Sequence, residues 1–469
     1  MRDEGDLVIR GGTVVSPEGT RRTDLRIRHG TVVAMESQLT QASTLDREID
    51  ATGLYIFPGL IDAHVHLNEP GRADWEGFTT GTMSLAAGGV TTFFDMPLNS
   101  TPPVTDRSHF EEKRKVAEAK SFIDYGLWGG LIPGNTEELT ELSQCGAIGF
   151  KAFMTDAGTD DFPAVDNDSL WAGMDIAARL GAVVAVHAES SWITRRLTES
   201  FLSQGRVSAR DYEASRPVVS ELEAVERALA IARLTGCRLH VVHASSADVV
   251  RRIRAAREAG VDVSVETCPH YLSLTVADLE ELGGVAKCAP PLRGRDEVEA
   301  LWQAVRAGLV DTVGSDHSPC PPSMKEDPEG NLFRVWGGIS GAQTALNVLL
   351  EEGYHRRGVP LETLTALTAT NPAKRFGLYP RKGTIAPGSD ADLVLVELGT
   401  PWALRREDLY YRHPHSPFIG RTFRGKILAT LLRGKPVYWD PSLNKLMREF
   451  GSGRFPDKPF GRFVAGQHG

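Results

Sequence analysis

The chain has 469 residues, 41% of them hydrophobic, and a formal net charge of -9 at neutral pH. Proteins that neutralise phosphates normally carry a basic face, so this acidic balance argues against a nucleic-acid partner and favours a small neutral or cationic ligand. No apolar run reaches the roughly 18 residues of a membrane span, and the N-terminus lacks the apolar segment of a signal peptide, so we expect no membrane association.

The first predicted elements are short, turn-rich β-strands within residues 1–57, for example "DLVIRGGTVVSPEGT". Residues 385–450 have the same character, with "GTIAPGSDADLVLVE" and "GKILATLLRGKPVYWD". Such strands cannot cover their own apolar faces, so we expect the two segments to form one small, discontinuous β-sandwich domain. The glycine-rich tail, residues 451–469, is expected to be loosely held or to dock on a neighbour.

Between these ends, apolar β-rich runs alternate with amphipathic helical stretches such as "SELEAVERALAIARLTG". Eight runs succeed one another: "YIFPGLIDAHVHL", "GVTTFFDMP", "FIDYGLWGG", "AIGFKAFM", "AVVAVHAE", "CRLHVVHAS", "DVSVETCPH" and "DTVGSDHSP". This alternation predicts an α/β fold in which residues 58–384 form a (β/α)8 TIM-like barrel. An open, doubly wound sheet is the alternative.

Two histidines, His64 and His66, stand one residue apart at the end of the first run. Side chains alternate faces along a strand, so the two imidazoles point the same way. Other strand ends carry similar groups, namely Lys151, His187, His243 and Asp316. Because the carboxyl ends of barrel strands gather around one mouth, we expect all six to become neighbours. Four imidazoles and a carboxylate suit two divalent metal ions, with Zn2+ as the first expectation and Co2+, Mn2+ or Fe2+ as alternatives.

Lys151 raises a separate question, because an ammonium beside two dications suffers both burial and like-charge repulsion. Both effects lower its pKa and leave a neutral amine. Such an amine can add carbon dioxide to give a carbamate, N6-carboxylysine, which is an anionic ligand able to bridge two metals. The alternative interpretation is an ordinary surface ammonium.

The stretches "GLIDAHVHLNEPG", "GFKAFM", "VHAE", "VVHASS", "ETCPHYL" and "GSDHSP" resemble those of the cyclic amidohydrolases, and the resemblance covers nearly the whole chain. It implies a metal-dependent barrel enzyme. By this likeness, His64 and His66 bind one metal, His187 and His243 bind the other, carboxylated Lys151 bridges both, and Asp316 completes the first metal's shell.

The resemblance also bears on the substrate. Dihydroorotase-like relatives have an arginine where this chain has Asn68, so an acidic substrate is disfavoured. Dihydropyrimidinase-like relatives have a tyrosine where this chain has Asp156. The segments "EPGRADWEGF" and "DMPLNSTPP" are similar to those of the branch that opens the hydantoin ring of allantoin, giving allantoate. Family likeness further implies that backbone groups at Ala289 and Trp336 contact the ring amide.

The expected mechanism is attack on the amide carbonyl by a hydroxide bridging the two metals, with Asp316 moving the proton to the departing nitrogen. The runner-up is a hydantoinase or dihydropyrimidinase acting on another cyclic amide. A non-catalytic scaffold is the remote alternative, disfavoured because all six ligand types are present.

Family likeness implies a homotetramer. The five cysteines form no C-x-x-C pair, which indicates neither a disulfide framework nor a thiolate zinc site and favours a reducing cytoplasmic compartment. His240, His270, His317, Glu189 and Asp62 are left without a ligand role, and some of them are expected to orient their neighbours.

Overall fold

The computed structural model describes residues 5–40, 43, 45–443 and 453–467. Its strands in chain order are β1 Leu7–Ser16, β2 Gly19–Arg28, β3 Thr31–Glu36, β4 Arg47–Asp50, β5 Tyr55–Pro58, β6 Leu60–Val65, β7 Val90–Asp95, β8 Asp124–Leu127, β9 Gly129–Gly130, β10 Phe150–Phe153, β11 Val183–His187, β12 Arg238–Val241, β13 Val263–Thr267, β14 Thr312–Val313, β15 Leu393–Glu397, β16 Trp402–Ala403, β17 Thr422–Phe423, β18 Lys426–Leu432 and β19 Lys435–Trp439.

The α-helices lie mainly between the parallel strands. They are α1 Phe78–Ala87, α2 Arg107–Lys120, α3 Leu139–Gln144, α4 Asn167–Arg179, α5 Ser191–Ser203, α6 Ala209–Ser215, α7 Val218–Thr235, α8 Ala247–Glu258, α9 Val276–Leu282, α10 Arg295–Arg306, α11 Ala345–Val348, α12 Leu361–Thr365 and α13 Asn371–Arg375. Within the described ranges, no helix combines the length and the apolar character needed to cross a membrane.

Parallel strands make up the centre of this mixed α/β structure. One sheet has the order β6-β7-β8, and the other has the order β14-β13-β12-β11-β10-β9. The two sheets are hydrogen-bonded to each other at both ends. At one end the Ile148 amide donates to the Leu127 carbonyl oxygen at 2.9 Å, and at the other Val65 pairs with His317 in parallel. Each of the eight apolar runs found in the sequence contains at least one of these strands.

Strands from both ends of the chain share one further sheet, ordered β19-β18-β15-β5-β1-β2-β3, with β4 beside β1. The two ends meet where β5 pairs with β15 in antiparallel orientation. An apolar cluster that includes Ile9, Leu25, Leu393 and Leu431 packs on this sheet. Residues far apart in sequence therefore bury one another's apolar faces here.

The first apolar run is not one strand, as the sequence pattern predicts, but two. It divides at Gly59 into β5, which belongs to the terminal sheet, and β6, which belongs to the parallel sheet. The Gly59 amide donates to the Asp392 carbonyl oxygen at 2.7 Å. A Cβ atom at this position would lie only 2.1 Å from the Thr91 hydroxyl oxygen, so glycine alone permits the close approach.

The described part of the C-terminal tail, residues 453–467, packs on the body of its own chain. Phe463 forms a parallel bridge with Tyr125 of β8, and the Val464 amide donates to the Tyr125 carbonyl oxygen at 2.7 Å. Val464 is buried, and the Phe463 ring contacts Phe110 edge-on. Burial of these side chains holds the segment in place.

Lys382 ties the terminal sheet to the parallel strands. Its buried Nζ lies 2.6 Å from an Asp392 carboxylate oxygen, 2.8 Å from Asp124 and 3.2 Å from Asp390. Burial would lower the pKa of Lys382, but the carboxylates of Asp392 and Asp124 raise it above its ordinary value. The ammonium thus compensates acidic groups from both parts of the structure.

We expect Lys382→Met to destabilise the fold by about 3 to 5 kcal/mol, because it leaves the buried carboxylates of Asp124 and Asp392 without this cation. Thermal denaturation checks this as a fall in Tm of several degrees. Arg381→Met, which removes an adjacent and exposed cation, is the control. A Tm equal to that of the control would contradict the assigned role.

Candidate metal centre

Three predicted ligands converge where β6 and the segment after β14 meet. The Nε2 atoms of His64 and His66 lie 3.2 and 3.5 Å from the same Asp316 carboxylate oxygen. One donor atom from each of the three buried residues falls within 4.8 Å of the others. Two imidazoles and a carboxylate at this spacing can hold a divalent metal ion.

The next two predicted ligands lie beside this trio. The His243 ring centroid is 5.3 Å from that of His64 and 4.6 Å from that of His187. The four imidazoles therefore form a continuous cluster, since the His64 and His66 centroids are 5.4 Å apart. His187 ends β11, and His243 follows β12, so neighbouring parallel strands bring them together.

Lys151, the second residue of β10, is fully buried. Its Nζ has no hydrogen-bond partner among the described residues and lies 5.0 Å from the centroid of the Phe153 ring. That ring stacks on His187 with a centroid separation of 4.7 Å. Burial lowers the pKa of Lys151 to about 8, although Asp316 and Glu266 act in the opposite direction.

Desolvation also lowers the pKa values of three of the imidazoles. Burial, followed by the proximity of Lys151 and other histidines, holds the pKa values of His64 and His243 well below the ordinary value. Burial likewise lowers the pKa of His187, although Glu189 opposes this change. Neutral imidazoles with free lone pairs are the form that binds metals.

A second layer of contacts orients these ligands. The Nδ1 atom of His64 lies 2.9 Å from Glu266 Oε1, and that of His66 lies 2.7 Å from the Leu98 carbonyl oxygen. Both rings therefore direct Nε2 at Asp316. His187 differs, because its Nε2 lies 2.7 Å from Glu189 and leaves Nδ1 available. Partners of this kind fix the orientation of metal-binding imidazoles.

Two carboxylates in this layer bear on the sequence-based predictions. Asp62 accepts the amides of His64 at 3.3 Å and Ser315 at 3.1 Å, so it links the two strands that carry the first trio. Glu266 was missed, and its only sequence signal is a place near the carboxyl end of β13. Its partner stands 202 positions away, so local patterns cannot reveal the pair.

The backbone is strained at two of the predicted ligands. His243 has φ 41° and Asp316 has φ 45°, in the left-handed region that side chains other than glycine seldom adopt. Strain of this kind persists only where surrounding contacts determine the conformation, and it concentrates at functional sites.

The donor set fits divalent metal ions. It combines buried imidazoles, a carboxylate and the buried Lys151 amine, which has no hydrogen-bond partner among the described residues, and such groups are costly to bury unless they bind something. His240, which has no predicted ligand role, lies beside Glu266: its Nδ1 is 2.8 Å from the Ser264 hydroxyl oxygen and its Nε2 is 3.7 Å from a Glu266 carboxylate oxygen.

Comparison with known proteins agrees with this geometry. The Amidohydrolase family profile matches residues 55–437. The chain belongs to the amidohydrolase family. This amidohydrolase is 54% identical to an allantoinase of Deinococcus radiodurans over 433 residues, which is 92% of this chain and 95% of the relative. It is 50% identical to an allantoinase of Rubrobacter xylanophilus over 462 residues, 98% of each chain.

Solved structures give a parallel result. The L-hydantoinase (dihydropyrimidinase) of Arthrobacter aurescens matches with a TM-score of 0.93 and 34% identity, over 98% of this chain and all of that one. A D-hydantoinase from Bacillus sp. AR9 matches with a TM-score of 0.89 and 34% identity, over 98% of this chain and 99% of that one. The amidohydrolase thus shares its fold with enzymes named for cyclic amides.

The two residues predicted to contact substrate, Ala289 and Trp336, line one cavity of about 1220 Å³. Asp156 and Arg216 line the same cavity. Arg216 also binds Glu189 with two hydrogen bonds, of 3.0 and 2.6 Å, and Glu189 in turn contacts His187. The cavity wall and the candidate metal centre of this amidohydrolase are therefore connected through the ion pair of Arg216 with the buried Glu189.

We expect Glu266→Gln to weaken metal binding roughly 10- to 100-fold, because an amide is a poorer partner than a carboxylate for the His64 ring. Competition with a chelator measures the affinity. Glu281→Gln, on the exposed face of α9, serves as the control. Equal affinities in the two variants would contradict an orienting role for Glu266.

Proposed function

We propose that this chain opens the hydantoin ring of allantoin by hydrolysis, giving allantoate. The observation that carries the proposal is the buried cluster of four imidazoles, an amine and a carboxylate in a chain 54% identical to an allantoinase. The uncharged Asn68, fully buried near this cluster, supports a substrate without a carboxylate.

The same proposal includes the architecture predicted from the sequence. The parallel strands of residues 58–384 would form a (β/α)8 barrel, with residues 1–57 and 385–450 as a small β-sandwich domain and 451–469 as a tail. Hydrogen bonds that join the two parallel sheets at both ends support closure. Residues 444–452 of these segments lie outside the described ranges.

The six donors would hold two divalent ions, with Zn2+ preferred and Co2+, Mn2+ or Fe2+ as alternatives. His64, His66 and Asp316 would hold one ion, and His187 and His243 the other. Lys151 would bridge both as N6-carboxylysine, formed when its neutral amine adds carbon dioxide and loses a proton. When bound, the ions polarise the amide carbonyl and lower the pKa of water.

Asp316 moves the proton in this scheme. A water oxygen attacks the ring carbonyl carbon, and the Asp316 carboxylate accepts the proton that the water releases. The ring C–N bond then breaks, and Asp316 delivers that proton to the departing nitrogen, so the ring ends as a ureide N–H and a carboxylic acid, which releases its own proton to solvent and becomes a carboxylate. The same carboxylate oxygen lies 3.2 Å from His64 Nε2 and 3.5 Å from His66 Nε2, so one ion could contact all three groups.

Backbone groups at Ala289 and Trp336 would orient the ring amide. Their place in one cavity wall supports this assignment. Asp156, which also lines the cavity, cannot supply the tyrosine hydroxyl that dihydropyrimidinase-like relatives use, so the departure favours a substrate other than dihydropyrimidines.

A hydantoinase or dihydropyrimidinase activity is the second candidate, favoured by the TM-score of 0.93 to the Arthrobacter aurescens L-hydantoinase (dihydropyrimidinase). A non-catalytic scaffold is less favoured, because every predicted ligand type is present in the buried cluster.

We further propose a cytoplasmic homotetramer that uses a small-molecule substrate and neither nucleic acid nor membrane. Five buried free cysteines support a reducing compartment. Large exposed apolar side chains support association between copies, and they include Trp171 on α4, Trp192 on α5, and Val219 and Leu234 on α7.

The function is tested by comparing turnover of allantoin, hydantoin and dihydrouracil on one metal-loaded sample. We expect kcat/KM to be highest for allantoin by at least about tenfold, and removal of metal by a chelator to abolish turnover. Preference for hydantoin or dihydrouracil would establish the second candidate, and inactivity on all three would establish a scaffold.

The bridging role of Lys151 is tested with 13C-labelled carbon dioxide. We expect a carbamate carbon signal in the metal-loaded protein that is absent from Lys151→Met, and metal content reduced by about half or more in the variant, since one shared ligand is lost. Lys115→Met, on the exposed face of α2, should keep both the signal and the metal. A signal that survives in Lys151→Met would refute the assignment.

A further inference from the structure

One short loop forms part of the wall of the large cavity. It consists of residues 333–338, "FRVWGG", and five of its members, Phe333, Arg334, Val335, Trp336 and Gly337, line the cavity. A substrate in this cavity would therefore meet the loop directly. What holds such a loop in one conformation determines how well it can orient a ligand.

Lys287 binds the loop from one side. Its Nζ donates to the carbonyl oxygens of Val335 at 2.6 Å and Phe333 at 3.4 Å. Its own carbonyl oxygen accepts the Gly338 amide at 2.8 Å. The side chain is 5% exposed, and its Nζ lies 4.6 Å from the centroid of the Tyr212 ring.

Lys325 binds the same loop from another side. Its buried Nζ donates to the carbonyl oxygens of Trp336, at 3.0 Å, and Gly338. The neighbouring Met324 carbonyl oxygen accepts the Trp336 amide at 2.8 Å. Two lysines from separate segments thus bind four carbonyl oxygens within six consecutive residues.

The loop is also fitted closely to the strand end that carries Asp316. A Cβ atom at Gly338 would lie 2.4 Å from the Ser318 carbonyl oxygen, and the Trp336 indole nitrogen donates to that same oxygen at 3.4 Å. The position of the loop is therefore coupled to the segment that begins at the metal centre.

Among the described residues, no carboxylate compensates the charge of these two buried lysines. Burial lowers the pKa of Lys287 to about 7 and that of Lys325 to about 8, and among the described residues neither forms an ion pair with a carboxylate. The buried Lys113 and Lys382, in contrast, contact carboxylates at 2.6 Å. Burying these lysines costs free energy, and their Nζ atoms donate hydrogen bonds only to loop carbonyl oxygens. This combination indicates that the two lysines hold the loop.

We propose that Lys287 and Lys325 are positioning residues that hold the 333–338 loop in its substrate-orienting conformation. The inference rests on the proposed function in one respect, because it assigns the loop backbone at Trp336 to substrate binding. Lys287 also lines the cavity, whereas Lys325 does not, and neither lysine needs to touch the reacting atoms. Both act through the four carbonyl groups that they bind.

Hydrogen exchange tests whether the two lysines hold the 333–338 loop, and it does so without reference to activity. We expect the amides of Trp336 and Gly338 to exchange about tenfold faster or more in Lys287→Met and in Lys325→Met than in the native chain, because charged hydrogen bonds to the loop are lost. Lys115→Met is the matched control. Unchanged exchange in both variants would overturn the proposal.

Kinetics on the metal-loaded enzyme tests the consequence. We expect KM for the ureide to rise roughly tenfold in each variant, with kcat changed less than about threefold and metal content unchanged, because orientation and not chemistry is lost. A fall in kcat at constant KM, or loss of metal, would overturn the positioning role.

Two further controls keep the outcomes separable. If the methionine variants do not fold, Lys287→Gln and Lys325→Gln, whose N–H donors end one bond short of the loop carbonyl oxygens, are judged by the same criteria. If the native enzyme opens no cyclic ureide, the proposed function fails, but the exchange measurement still decides whether the lysines hold the loop.

Discussion

Desolvation of proton-binding groups at one end of the parallel strands is the constraint on which the centre of this molecule depends. His64, His243 and Lys151 are buried, and burial lowers the pKa of each below its ordinary value. Burial removes the water that would stabilise their charged forms, so the imidazoles are neutral, and the neutral amine of Lys151 becomes the major form above about pH 8. The result is a set of lone pairs pointing into the interior, which is unfavourable alone and favourable around a cation.

That arrangement holds only because a second set of contacts limits what each ring can do. Glu266 and the Leu98 carbonyl oxygen occupy the Nδ1 sides of His64 and His66, so both rings offer Nε2 to the space beside Asp316. Glu189 occupies Nε2 of His187 instead. Each orienting group therefore selects the ring nitrogen left for a ligand.

Contacts also fix the geometry of the cavity wall, but there the orienting groups are cationic side chains. The partly exposed Arg216 binds the buried Glu189, and the lysines at 287 and 325 bind backbone carbonyl oxygens in place of carboxylates. Removing a cation from water costs free energy, and each of these side chains contacts a carboxylate or carbonyl group that forms part of the site. The interior of the amidohydrolase thus uses charge mainly to fix geometry around the place where a substrate would bind.

The amino-acid pattern by itself determined the α/β class and the eight parallel-strand runs, and it singled out six candidate donor residues, because strand periodicity and side-chain type are local properties. Only the tertiary structure decided that Gly59 divides the first run, that Val464 docks on β8, and that the Glu266 carboxylate contacts Nδ1 of His64. These features depend on distances between residues far apart in sequence. Period and composition carry no information about such distances, so they arise only when the chain packs.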